Sequence, residues 1–182
     1  MTALNSRSLR NVFGCFATGV AILTTRTATR EHAAVTVNSF SSVSLDPPLI
    51  LFSLAKNANV LKHFQQASSF AVNILSHTQE TLSNMFARPS SANWNDTPFV
   101  EGETGCALIS ESLAQIECVP YSEIDSGDHQ VFLGKVVHLH LHSMLDPLLF
   151  YRGRYGTYMR SPWEKAVTQD SSLSDFSIGG WG

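Results

Sequence analysis

The chain of 182 residues is poor in cysteine and in charge, and both shortages exclude classes of protein. Only three cysteines occur, Cys15, Cys106 and Cys118, and no Cys-x-x-Cys pair is present. Dithiol exchange and cysteine-rich zinc sites are therefore excluded, and unpaired thiols of this kind are typical of a reducing, cytoplasmic setting. The net charge of −3 gives no basic footprint, so neither nucleic acid nor an anionic membrane is expected as a partner.

Long apolar runs and nucleotide-binding motifs are missing as well. No stretch approaches the ~20 apolar residues that span a bilayer. Arg7 and Arg10 precede an apolar segment, as in a signal peptide, but polar residues and glycines interrupt it. Gly14 and Gly19 have the spacing of a phosphate loop, yet Val20 replaces the required lysine. The absence of Gly-x-Gly-x-x-Gly and Gly-x-Ser-x-Gly argues against a Rossmann dinucleotide site and a serine hydrolase.

Hydrophobic residues make up 43% of the chain, which is enough for one packed domain over residues 1–182. Helices are predicted after Ser8, after Asn57 and after Ser76, which forms a capping box with Gln79. β-rich runs between turn residues predict strands at 20–25, 35–43, 49–54, 70–75, 108–109, 113–121 and 130–142. Strands without regular βαβ alternation favour a mainly β fold, an antiparallel barrel with helices outside it.

Two segments have no periodicity of either kind. Residues 88–103 surround Trp94 with proline, serine and asparagine, and so long a loop in a compact domain is typically a lid, a binding loop or a dimer contact. The C-terminal tail, residues 159–182, is rich in serine, aspartate and glycine. We expect this tail to be mobile or to cross to a partner subunit, which leaves a core of about residues 9–158.

Three histidines, His138, His140 and His142, alternate with two leucines on a predicted strand. A period of two places the imidazoles on one face, where two of them could share a zinc ion. However, the known His-x-His-x-Asp-His pattern fails here, and no cysteine or carboxylate is adjacent. We therefore expect no metal, with Leu139 and Leu141 in the core and the histidines towards solvent.

Residues 35–46, VTVNSFSSVSLD, begin like a strand but continue with short hydroxyl and amide side chains. Such side chains let a ligand approach the backbone, and they can hold phosphate or ring heteroatoms. Alternatively, the serines only satisfy turns near the two prolines that follow. Ser53, Lys56 and Asn59 end the next strand and open a helix, where free amides and a lysine favour an anion.

Seven segments, read together and in order, resemble the flavin reductase-like family. They are FGCFATGVAILTT at 13–25, TVNSFSSVSLDPPLILFSL at 36–54, NANVLKHF at 57–64, FAVNIL at 70–75, LAQIEC at 113–118, GDHQVFLGKV at 127–136 and PLLFYRGRYG at 147–156. The resemblance implies the fold of that family, a mainly β, antiparallel Greek-key split barrel that binds flavin mononucleotide, with flanking helices.

The resemblance also implies one catalytic residue and a set of cofactor-binding residues. His129 would lie beside the nicotinamide. The polar strand would line the isoalloxazine ring, the end of the next strand would hold the ribityl and phosphate portion, and a later helix end would approach the same cofactor. A closing motif would lie near the dinucleotide. In chain order these cofactor-binding residues are Thr36, Val37, Asn38, Ser39, Phe40, Ser41, Ser42, Ser53, Leu54, Ala55, Lys56, Asn59, Phe86, Ala87, Arg88, Tyr151, Arg152 and Tyr155.

The activity implied by the resemblance is that of an NAD(P)H-dependent flavin reductase. Hydride would pass from NADH or NADPH to FMN or FAD, and a partner monooxygenase would receive the reduced flavin. Hydride transfer needs two stacked rings more than a strong acid or base, which agrees with a site of Ser, Thr and Asn. Two alternatives stay open, an oxidoreductase that keeps FMN tightly bound and a non-enzymatic flavin-binding protein. The resemblance also implies a homodimer.

Overall fold

The structure, a computed structural model, describes residues 4–88, 94–142 and 145–159. Antiparallel strands dominate it. In chain order the strands are β1 (Thr18–Gly19), β2 (Ala21–Arg26), β3 (His32–Val37), β4 (Ser41–Leu45), β5 (Pro48–Ala55), β6 (Phe70–Ile74), β7 (Phe99–Glu101), β8 (Ala107–Ile109), β9 (Ala114–Ser126), β10 (His129–Leu141), β11 (Leu148–Tyr151) and β12 (Arg154–Thr157).

A seven-stranded sheet in the order β3-β2-β6-β9-β10-β5-β4 forms most of the fold. A three-stranded sheet of β1, β11 and β12 and the β7–β8 pair complete it. The predicted hairpin of the two longest strands is confirmed, since β9 and β10 meet at Gly127 and Asp128. Gly127 has a φ of +65°, a conformation that glycine adopts without strain.

Phenylalanine side chains fill the centre of the large sheet. The Phe52 ring lies 5.1 Å from both the Phe70 and Phe132 rings, measured between centroids. Val35 and Val37 of β3 pack against the same cluster. Strands from both ends of the sheet thus share one core, and the predicted antiparallel barrel with helices outside it is confirmed.

The three helices of the described residues are short: α1 (Ser6–Phe13), α2 (Leu61–Gln65) and α3 (Glu80–Phe86). The predicted capping box is confirmed, because Ser76 and Gln79 bond reciprocally ahead of α3. None of these helices has the length and apolar character needed to cross a membrane.

Two predicted helix starts are wrong. Asn5, not Ser8, caps α1, because the Asn5 side chain accepts hydrogen bonds from the backbone amides of Arg7 and Ser8. The second helix starts at Leu61 rather than after Asn57, since the chain first closes a turn from Ala55.

The strand prediction needs two changes. The single strand predicted at 35–43 is two strands, β3 and β4, separated at residues 38–40. β7, β11 and β12 had no prediction of their own, because runs of three or four residues carry little periodicity. The predicted tail beyond Met159 lies outside the described residues.

Candidate functional site

Ser39 connects the polar segment, residues 35–46, to the end of β5. Its Oγ accepts a hydrogen bond from the Ser53 amide at 3.0 Å and donates one to the Ser53 carbonyl oxygen at 3.1 Å. At this point the Ser39 hydroxyl, rather than a backbone group, pairs with the backbone of Ser53. This explains why the strand predicted at 35–43 is divided into two. Two of the predicted cofactor-binding segments are thereby joined.

Thr36 joins the same segment to α3 and β12. Its Oγ1 donates a hydrogen bond to the Ser83 carbonyl oxygen at 2.7 Å. The Ser83 hydroxyl lies 2.9 Å from the hydroxyl of Tyr155. Two predicted residues therefore meet at one buried serine of α3, and the end of that helix leads into the predicted residues 86–88.

The predicted cofactor-binding residues differ in how far their side chains are buried. Val37 and Phe40 pack against the phenylalanine core, and Leu54 is only 3% exposed. These three offer a ligand mainly backbone groups. The exposed side chains of the set are Asn38, Ser41, Ser42, Lys56, Asn59, Ala87, Arg88, Tyr151 and Arg152.

The pairing of β5 with β10 brings His129 opposite Ala55. The Lys56 amide donates to the Asp128 carbonyl oxygen at 2.9 Å, and Lys56 Nζ lies 2.6 Å from the Asp125 carboxylate. The predicted catalytic residue and the predicted anion-binding lysine thus share one end of the sheet. The Lys56–Asp125 pair is solvent-exposed and therefore weak, so an incoming anion can compete for the ammonium.

Asp128 orients the imidazole of His129. The distance from Asp128 Oδ1 to His129 Nδ1 is 2.7 Å, and this hydrogen bond, followed by the imidazole charge, lowers the pKa of Asp128. A carboxylate acceptor selects the tautomer with its proton on Nδ1. In the neutral form Nε2 is then an acceptor for a bound molecule, and the side chain is accessible at 45% exposure.

A groove of about 350 Å³ extends from Asn59 and residues 86–88 to His32 and Trp94. The centroid of the His32 ring is 5.3 Å from that of Trp94 and 4.9 Å from that of Phe99. The groove therefore offers an aromatic wall directly beside predicted cofactor-binding residues.

His32 also has a free ring nitrogen. Burial, and secondly the charge of Arg26, lower the pKa of His32, so the imidazole is neutral at neutral pH. Its Nδ1 is buried without a hydrogen-bond partner among the described residues. A polar ligand in the groove could supply that partner.

The sequence prediction missed His32 but included Trp94 in its lid, binding or dimer-contact loop. Strand alternation could have indicated His32. Residues two apart on a strand share a face, so His32 and Ala34 are expected on the same face as Thr36. Trp94 packs on Phe86 at 5.1 Å between ring centroids, which makes it a wall of the groove. Residues 89–93 of the same loop lie outside the described residues.

The predicted residues of the closing motif, Tyr151, Arg152 and Tyr155, lie in two separate places. Tyr151 and Arg152 lie at the turn between β11 and β12, where the Arg152 amide donates to the Gly14 carbonyl oxygen at 2.9 Å. The Arg152 guanidinium lies 3.4 Å from Cys15 Sγ, and a cavity of about 480 Å³ beside it is lined by Arg10, Asn11, Arg152 and Gly153. Tyr155 instead joins the hydrogen bonds at α3.

The prediction that Leu139 and Leu141 lie in the core is wrong, whereas His138 and His142 are exposed, as predicted. Leu139 and Leu141 are 71% and 79% exposed, whereas His140 is half-buried with Nε2 2.9 Å from Glu117 Oε1. The register of β10 shifts just before His138. The odd-numbered positions from Lys135 to Leu141 are exposed on both sides of this shift, so the leucines belong to the outward face of the strand. In the described part of the chain, no three histidine, cysteine or acidic side chains form a metal-binding group.

The flavin reductase like domain family matches residues 13–159 of this chain. The reductase component of the flavin-dependent trigonelline monooxygenase of Acinetobacter baylyi is 40% identical over 162 residues, or 88% of this chain and 52% of the relative. The FMN reductase (NADH) of Agrobacterium fabrum is 40% identical over 156 residues, 86% of this chain and 88% of the relative.

A solved structure, the NADH:FAD oxidoreductase of Streptomyces globisporus, superposes with a TM-score of 0.81 at 32% identity. The superposition covers 88% of this chain and 99% of the other. The chain spans about half the length of some curated relatives, among them the Acinetobacter baylyi reductase component at 52%.

Proposed function

Since the chain belongs to the flavin reductase-like family, we propose that it is an NAD(P)H:flavin oxidoreductase, which transfers hydride from NADH or NADPH to FMN or FAD. Relatives named as an FMN reductase and as an NADH:FAD oxidoreductase support the reaction. Because one name gives FMN and the other FAD, the proposal includes both flavins.

One structural observation carries the proposal. The pairing of β5 with β10 places His129, the predicted nicotinamide residue, directly beside the end of the predicted flavin segment at Ala55 and Lys56. Segments that lie far apart in the sequence thus provide neighbouring positions for two rings. Hydride transfer requires such proximity, with ~3 to 3.5 Å between the reacting atoms.

The residues present fit a flavin. Thr36, Ser39 and Ser53 fix the shape of the polar segment through their hydrogen bonds, while Asn38 and Ser41 remain exposed for a ligand. The groove at Asn59 and Arg88 adds a positive charge and an aromatic wall. It also adds Nδ1 of His32, which has no hydrogen-bond partner within the described part of the chain.

A bound flavin would supply the chemistry, by accepting hydride from C4 of the nicotinamide at its N5 atom. The protein would bind the flavin and the nicotinamide and orient their rings. Backbone groups of residues 36–42 would hold the flavin ring, and Lys56 with Asn59 would hold the phosphate portion. His129, with Nδ1 bound to Asp128, would position the nicotinamide through Nε2.

We also propose a partner and an assembly. A partner monooxygenase would receive the reduced flavin, as the name of the Acinetobacter baylyi reductase component suggests. The chain would form a homodimer in the cytoplasm. The exposed pair Leu139 and Leu141, next to the partly exposed Val137, gives β10 an apolar face that a second copy could cover.

The test is to purify the protein without added cofactor and record its visible spectrum. Oxidation of NADH and NADPH is then followed by absorbance, with and without free FMN or FAD. The proposal expects rapid oxidation that requires added flavin. A yellow protein that ignores free flavin would replace the proposal by a bound-flavin oxidoreductase, and a colourless protein that binds no flavin would reject it.

A further inference from the structure

A second groove lies at the end of β10 opposite to His129. It has a volume of about 400 Å³ and is lined by Val100, Glu103, Leu108, Glu111, Gln115 and His140, among others. His129 and His140 occupy the two ends of one strand, so they are roughly 35 Å apart along it at ~3.3 Å per residue. A ligand in this groove would therefore lie far from His129.

Gln115 is the observation that points to a ligand. Its side chain is 3% exposed, and its Nε2 donates a hydrogen bond to the Ile109 carbonyl oxygen at 2.7 Å. That bond fixes which way the amide is turned. Oε1 is left buried without a partner among the described residues, although the residue lines the groove. Buried acceptors are nearly always satisfied, so a hydrogen-bond donor is expected here.

The charges around the groove favour a cation. Glu103 and Glu111 are exposed at its rim, and neither forms an ion pair with any residue that the structure describes. Glu101 also lines the groove but is paired with Arg26. The described lining contains no lysine or arginine. A positively charged ligand would thus meet two carboxylates without a competing cation.

The wall of the groove is held in place by Glu117. This fully buried carboxylate accepts hydrogen bonds from the backbone amides of Glu103 at 3.2 Å and Thr104 at 2.8 Å. His140 Nε2 lies 2.9 Å from Oε1 of this carboxylate, the oxygen that also accepts from the Glu103 amide. The loop that carries Glu103 and the strand that carries His140 are thus tied together, so the site is ordered before a ligand arrives.

We propose that this groove binds a small organic cation, a primary ammonium or guanidinium group on a short apolar chain. The N–H groups would donate to Gln115 Oε1 and to the rim carboxylates, and the apolar chain would contact Val100 and Leu108. A metal ion is not favoured, because no three metal-binding side chains cluster in the described residues. The proposal does not depend on the reductase activity.

The test uses n-butylammonium chloride as the probe, titrated into the ¹⁵N-labelled full chain and followed by NMR. Sodium butyrate and sodium chloride at equal ionic strength are the controls for the probe. The expected result is a saturable shift of the Gln115 side-chain amide and the Thr104 backbone amide, without a shift at His129. Glu103→Gln combined with Glu111→Gln changes only exposed side chains and should weaken binding at least threefold.

Glu123→Gln is the matched control, because Glu123 is an exposed carboxylate of the same strand as Gln115 but lies outside the groove. It should leave the affinity within twofold. The proposal is overturned if no saturable shift occurs, if the double variant binds as tightly as the parent, or if butyrate or sodium chloride produces the same shifts. Saturation of these resonances by zinc but not by n-butylammonium would overturn it in favour of a metal site.

Discussion

The hydroxyl of Ser39 bonds to both backbone groups of Ser53, the amide at 3.0 Å and the carbonyl oxygen at 3.1 Å. This reciprocal pair couples the polar segment before β4 to the end of β5. The shape of the proposed flavin site therefore depends on one side chain.

Ser39→Ala removes both hydrogen bonds and leaves two partly buried backbone groups unpaired. We expect the free energy of unfolding to fall by about 1 to 3 kcal/mol and the KM for flavin to rise. Urea unfolding and steady-state kinetics would measure the two effects. Ser44→Ala, in the neighbouring strand β4, is the control and should change stability by less than ~0.5 kcal/mol. Unchanged stability and KM in Ser39→Ala would show that the pair does not shape the site.

His129→Asn should separate nicotinamide use from flavin binding. We expect kcat/KM for NADH to fall about tenfold, a loss of about 1.4 kcal/mol in transition-state stabilisation. The Kd for flavin should stay within twofold, since His129 is proposed to contact only the nicotinamide. Stopped-flow reduction and flavin titration would measure both. An equal loss in both quantities would mean that His129 shapes the flavin segment instead.

Gly134 has no room for a side chain. A Cβ at this position would collide with the Phe70 ring and would lie 3.1 Å from Cys118 Cβ. Gly134→Ala should therefore destabilise the protein by about 1 to 3 kcal/mol through overpacking of the core, measured as a lower Tm. Gly19→Ala, where nothing lies within 4 Å of the added carbon, is the matched control. A Tm of Gly134→Ala equal to that of the control would contradict the packing described for β10.

The three thiols should differ sharply in reactivity. Cys15 is exposed, whereas Cys106 and Cys118 are buried. Burial raises the pKa of Cys106 and, together with neighbouring negative groups, raises the pKa of Cys118 to about 12. Since the thiolate is the reactive form, a disulfide reagent should modify one thiol in the native protein and three after unfolding. Rapid modification of a second native thiol would show that the core opens.

Glu117 should make stability depend on pH. Burial alone raises the pKa of its carboxyl group, but the hydrogen bonds from Thr104, His140 and Glu103 together hold the pKa below its ordinary value. The carboxylate therefore contributes stability above pH ~4.5, its unfolded value, and this contribution is lost as the pH falls through the lower folded value.

Glu117→Gln tests that contribution, because an amide cannot accept from all of these donors. We expect a loss of about 2 kcal/mol at pH 7 that becomes smaller towards pH 3, measured by urea unfolding. Glu123→Gln should show no such trend. A difference between Glu117→Gln and the parent that is constant from pH 7 to pH 3 would mean that folding leaves the pKa of Glu117 unchanged.

Much of the fold could be read from local patterns. The order of seven segments predicted the family, and β-rich runs predicted the main strands of the sheet. The reciprocal bonds of Ser76 and Gln79 are set by residues three apart, so the sequence was sufficient to predict them. The polar segment at 35–46 was also visible, because its composition differs from that of a core strand.

Other features depend on contacts between distant residues. Alternation showed that the histidines of β10 share a face, but it did not show that Leu139 and Leu141 are exposed while His140 is half-buried against Glu117. A two-residue period does not tell which face of a strand is buried, so only the packing of the sheet could decide this. The pairs Ser39–Ser53, His32–Trp94 and Glu117–His140 likewise needed the folded chain, since their partners come from separate strands and loops. The sequence by itself determined which elements form, and the tertiary structure decided which side chains meet, because strand register and burial are properties of the whole sheet.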